Sequence, residues 1–205
     1  SDAGDALASI ELGRLERTAG RNAEAARAFE KSLAVAAGQP LDDFIAFGGP
    51  TSRDSLIVLY SASGRDAAAL SLIDAARSSY VSDEESSTPA RDLVFEPSGS
   101  GGDGLTGLAS VGSLNVAARF TERLEALASL TESAYRLQRW DDAVGFARRR
   151  AEVLATGSPE RAKADARLAQ VETAKSEAER RTNQALKVSE AVASDAVSIR
   201  ELTLN

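Results

Sequence analysis

Three times along the chain a large apolar residue stands eight positions before a turn residue, and an alanine stands five positions after it: Leu12–Gly20–Ala25, Leu56–Gly64–Ala69 and Leu130–Gln138–Ala143. A recurring spacing of this kind constrains the fold more than any single motif, because each unit must bury its apolar side against its neighbours. The spacing predicts two antiparallel helices joined by a short turn. They can approach closely only where one presents a small residue such as Ala, and the large residues then fill the next layer. Composition agrees. Of 205 residues 39 are Ala and only 5% are aromatic, a balance that favours close-packed helices over pleated sheet.

The flanking residues divide the chain into four parts. Residues 5–80 read as two helical hairpins. In the first, Leu7, Ile10, Leu12 and Leu15 recur at helical spacing before the break at Gly20-Arg21-Asn22, and Gly38 and Pro40 close the second helix. An apolar connector over 41–50 leads to Thr51 or Ser52 as N-cap of a helix to about Ala62, and a further helix is predicted over Asp66 to Tyr80. Residues 81–113 read as an inserted surface loop; six acids and one Arg give 82–104 a charge of −5 of the total −7. Residues 114–157 carry the third hairpin, its second helix opening on Trp140-Asp141-Asp142-Ala143. Ser158-Pro159-Glu160 then restarts a long packing helix with a thin stripe (Leu168, Val171, Ala174, Ala178, Ala185, Val188, Val192), followed by a tail over 197–204 that suits helix or strand.

The hairpins resemble tetratricopeptide repeats. The resemblance is carried by Leu12-Gly13, Gly20, Ala25 and Phe29 in the first and by Trp140-Asp141-Asp142-Ala143 in the third. It implies an all-α fold of antiparallel hairpins stacked as a short solenoid, with the inserted loop and a long C-terminal helix. It also implies a concave groove, lined by Arg14, Arg17, Val58, Ser61, Glu132, Tyr135 and Arg136, that holds a peptide or partner helix. Arg14 and Arg17 would attract an acidic segment, and the chain's own residues 83–96 are one candidate. The pattern departs from the family in spacing: the turn residues lie 44 and 74 apart rather than about 34. The helix-A aromatic is Glu16 in the first repeat and Ala134 in the third, with Tyr60 only in the second.

The function classes this leaves are few. With no Cys and no His the chain has no thiol nucleophile, catalytic triad or imidazole–thiolate metal site, and no cofactor or metal is expected. The Gly-rich run 98–104 lacks the Lys of a phosphate loop. Asp42-Asp43 and Asp141-Asp142 are sequence neighbours that point to different sides of an element, so neither reads as an acid/base pair. The net acidity opposes nucleic-acid binding, and Arg148-Arg149-Arg150 spreads around a helix as solvated surface. No run approaches a membrane span, and no signal peptide is evident. The opening Ser1-Asp2-Ala3-Gly4-Asp5, without Met, reads as a processed fragment, and the lack of Cys leans toward an exported bacterial protein. The expectation is therefore a non-catalytic protein–protein interaction module, an adaptor or assembly factor. Two alternatives stand beside it. One is a structural protein that self-associates through its C-terminal helix into a homo-oligomer. The other is a carboxylate-only enzyme such as a glycosidase, which needs two acids converging about 5–9 Å apart.

Overall fold

The computed structural model describes residues 2–37, 39, 44–45, 47–73 and 106–202. These residues form an all-α chain with seven helices and no strand among them. The helices are α1 (Asp2–Thr18), α2 (Asn22–Ala36), α3 (Gly49–Ala62), α4 (Asp66–Ser71), α5 (Thr106–Arg136), α6 (Trp140–Glu152) and α7 (Pro159–Leu202).

The three matched turns have one geometry. Gly20, Gly64 and Gln138 all adopt the left-handed conformation, with φ of 75°, 74° and 57°. In each, the next residue's N–H reaches back to a carbonyl five positions earlier: Arg21 to Glu16 at 2.9 Å, Arg65 to Tyr60 at 2.8 Å, Arg139 to Ala134 at 2.9 Å. The left-handed residue itself donates to a carbonyl three positions back: Gly20 to Arg17, Gly64 to Ser61, Gln138 to Tyr135. This pair of bonds is the Schellman motif, which satisfies the last carbonyls of one helix while turning the chain into the next. Glycine takes the left-handed region freely; Gln138 does so at a cost of about 1 kcal/mol, set against the two turn bonds donated by its own N–H and by that of Arg139. The same Arg then opens the following helix, its carbonyl accepting from Ala25, Ala69 and Ala143 respectively.

Those three alanines are each 0% exposed. The contacts run along the chain: α1 packs on α2, α2 on α3, α3 on both α4 and α5, α4 on α5, α5 on α6 and α6 on α7. Two apolar clusters result. Ile10, Ala25, Phe29, Leu56, Leu59, Tyr60 and Ala69 make the first; Ile57, Leu70, Ile73, Leu127, Leu130, Ala143, Phe146 and Val171 belong to the second.

Helix α1 shows why the small residues matter. Its buried side is Ala6, Ser9, Ile10 and Gly13, whereas Leu7, Leu12 and Leu15, three of its four periodic apolar residues, are 49%, 51% and 67% exposed. A Cβ placed on Gly13 would sit 2.8–2.9 Å from the Phe29 ring, inside contact distance. Gly13→Ala is therefore expected to destabilise by about 1–2 kcal/mol, although Ala exceeds Gly by ~1 kcal/mol in a free helix. Urea unfolding measures the sign directly.

Several boundaries differ from the sequence expectation. Helix α3 begins at Gly49, ahead of Thr51 and Ser52. Both are buried in its first turn instead of capping it, and Ser52 meets Ser32 Oγ at 3.0 Å. Helix α4 ends at Ser71, and residues 74–80 lie outside the described residues. Helix α5 starts at Thr106 rather than near Leu114, so the end of the expected 81–113 insertion is helical. Helix α7 continues to Leu202, resolving the tail as helix that far. Its start is as expected: Ser158 Oγ accepts from the Arg161 N–H at 3.1 Å. Gly38, Pro40, Asp42, Asp43 and the whole of 82–104 also lie outside the described residues, and with them the acidic 83–96 segment and the Gly-rich run.

Candidate functional site

The seven residues expected to line a groove fall on α1, α3 and α5, and five of them bond across helices. Arg14 donates to Glu122 on α5 at 2.9 Å and to Glu11 at 2.9 Å. Arg17 donates to Glu125 on α5 at 2.6 Å. Among the described residues the acidic partners of these arginines are Glu122 and Glu125 of α5 and Glu11 of α1 itself. Burial opposes the charge on Arg14, yet the bonds and attraction to Glu122 and then Glu11 outweigh it and raise its pKa. Val58 is half-buried. Ser61 is buried and donates to the Ser129 carbonyl at 3.1 Å while meeting Ser133 Oγ at 2.9 Å. Arg136 forks onto both oxygens of Asp66, at 2.9 and 2.5 Å, and reaches Ser61 Oγ at 3.0 Å. Glu132 accepts two bonds from Arg167 on α7, both at 2.8 Å.

The Arg136 hydrogen bond, joined by that from Ser133, holds Asp66 below the usual carboxylate range. A carboxylate whose pKa is lower in the folded than in the unfolded chain adds stability above the unfolded value, near 3.9, and that stability is lost as pH falls through the folded value. Acid unfolding below about pH 4 is expected to be shallower in Asp66→Asn than in the parent chain, as urea midpoints between pH 5 and 2 will report.

Tyr135 makes ring contacts instead. It is half-buried at the end of α5, where its ring meets Trp140 edge-on, with centroids 5.3 Å apart and planes at 86°. The Arg167 guanidinium lies 4.7 Å from the Tyr135 centroid. This aromatic pair forms one wall of a cleft of about 430 Å³. Its other residues are Gln138 at the turn and Ala174, Glu177, Ala178, Arg181 and Thr182 on α7. The cleft exists because α7 runs antiparallel to α6 and overshoots the α5–α6 turn. Lys175 fastens it there by donating to Asp141 at 2.5 Å, a bond that also raises the Lys175 pKa. Small Ala174 and Ala178 leave the space open, Glu177 and Arg181 supply both signs of charge at its mouth, and the rings supply a flat apolar wall. The lining is more polar than apolar and the cleft opens to solvent, a setting suited to a segment that keeps part of its surface wet.

Sequence reasoning placed Ala174 and Ala178 in a packing stripe and Trp140 in a turn, and missed their convergence. The one available signal was Trp140, the only tryptophan in the chain, beside a turn whose residue is not glycine. Asp141 and Asp142 face cations rather than one another, Asp142 pairing with Arg139. Arg148 pairs with Glu172 and Arg149 with Glu152. Among the described residues no cluster of three acids could hold a metal ion, and no helix is long and apolar enough to cross a membrane. Compared with family models, curated proteins and solved structures, the chain matches none.

Proposed function

We propose that the chain is a non-catalytic interaction module of tetratricopeptide type, and that it holds a peptide or partner helix in the cleft between Tyr135–Trp140 and α7. The repeat reading is supported by three turns of one geometry, each followed by a fully buried alanine. The observation that carries the binding reading is the cleft itself: an aromatic wall and a two-alanine floor left open beside a fastened helix. It replaces the groove expected from the sequence, since Arg14, Arg17, Ser61, Glu132 and Arg136 are engaged between helices. A bound segment would set an apolar side chain on the Tyr135 and Trp140 rings and its polar groups toward Gln138, Glu177 and Arg181.

Selection of displayed peptides on the folded chain provides ligands for the test. Ala178→Arg fills the floor at a half-buried position on a solvated helix and is expected to weaken those peptides at least tenfold, about 1.4 kcal/mol or more. Its circular dichroism should match the parent. Selected peptides that bind Ala178→Arg and the parent equally would place recognition elsewhere.

A further inference from the structure

We infer that the crevice between α5, α6 and α7 binds one monatomic anion of chloride size, held by Arg150. The basic run Arg148-Arg149-Arg150 leads to it. Arg148 pairs with Glu172 and Arg149 with Glu152, whereas Arg150 makes no ion pair or hydrogen bond among the described residues. Its Nε is nevertheless shut off from solvent. A charged donor buried without an acceptor is strongly unfavourable, and folded proteins answer it with a side chain, an ordered water or an ion.

Arg150 lines a cavity of about 20 Å³ at that place. Each helix contributes an alanine and a polar residue: Ala128 and Thr131 from α5, Ala147 and Arg150 from α6, Ala164 and Arg167 from α7. The alanines explain the gap, since none of the three fills it beyond Cβ. A space of this size admits one sphere about as large as a water molecule. A single-atom anion fits it; a carboxylate, phosphate or sulfate group does not.

The other polar groups of the lining are already spent. Thr131 Oγ1 donates to the Leu127 carbonyl at 2.8 Å. Arg167 gives Nε and Nη2 to the two oxygens of Glu132, both at 2.8 Å, and Nη1 to Gln170 at 3.1 Å. Glu132 also lines the cavity, but these two bonds compensate its charge, and the charge left over is that of Arg150. The Nε–H of a guanidinium and the Nη–H beside it are parallel donors that can chelate one small acceptor. A water would satisfy the Nε–H and leave the charge uncompensated, whereas an anion answers both. One charge and two donors give weak binding, on the order of millimolar. The site shares no lining residue with the cleft at Tyr135 and Trp140 and does not rest on it.

Chloride NMR line broadening by the full chain tests it, with sodium gluconate holding the ionic strength constant so that general screening does not change. The parent should broaden the chloride line along a saturable isotherm, and bromide should compete. Arg150→Gln keeps side-chain donors and loses the charge; it should weaken binding by about tenfold or more, with circular dichroism unchanged. Crystals of the parent soaked in bromide should show an anomalous peak in contact with Arg150 Nε. Broadening that never saturates, or that is equal in parent and Arg150→Gln, overturns the inference. So does a water at Arg150 Nε with no anomalous peak, and a bromide peak without saturable broadening marks an adventitious ion only and overturns it too. If Arg150→Gln does not fold, the parent's isotherm and bromide position decide.

Discussion

Phe146→Ala should lose about 3–5 kcal/mol of stability, the cost of emptying the place of a fully buried aromatic side chain. Phe146 is 0% exposed on α6, and its cluster joins Leu127 and Leu130 of α5 to Val171 of α7. Three helices thus lose a common filler at once. The cluster around it draws on all three helices, so no single neighbouring side chain can refill the space. Chemical denaturation should show a lower midpoint with an unchanged slope. A loss below about 1 kcal/mol would mean that α5, α6 and α7 do not share a core.

Arg123→Ala should cost a similar amount, about 3 kcal/mol, through charge instead of volume. Arg123 Nε donates to Asp54 Oδ2 at 2.7 Å, with the two side chains only 16% and 4% exposed. Removing the guanidinium takes away a cation that donates to a buried carboxylate within the α3–α5 interface. Asp54→Asn with Arg123→Leu should recover much of the loss, since a buried pair adds little over apolar groups of similar size. Thermal unfolding of the parent, the single variant and the pair measures both statements. If the single variant unfolds with the parent, the α3–α5 contact is solvated.

Both predictions concern contacts between residues far apart in sequence, and this is where the fold stopped being legible. The turns could be read locally, because Gly20 and Gly64 at fixed distances from Leu and Ala already specify a left-handed residue and a close crossing. Gln138 was legible only by register with those two. Ala25, Ala69 and Ala143 were likewise legible as the close-approach points, and all three are fully buried. The side of α1 that faces inward was not. Periodic leucines mark an apolar face, but Phe29 fits only over Gly13, so the helix turns its small side in and its leucines out. The pairing of the groove residues was not legible for a related reason. Their positional transfer assumes that the inner side of the array is empty, whereas Glu122 and Glu125 of α5 reach Arg14 and Arg17, each 108 residues away. The cleft was invisible because its walls, Tyr135–Trp140 and Ala174–Thr182, converge only once α7 folds back along α6 and overshoots the turn.

The interaction reading is tested most directly by the emission of Trp140, which reports on the cleft without a label because it is the only tryptophan. Titration with selected peptides should shift its emission to shorter wavelength along a single saturating isotherm, with the same dissociation constant as calorimetry, and the shift should vanish in Ala178→Arg. Calorimetric binding with the Trp140 spectrum unmoved would contradict the account.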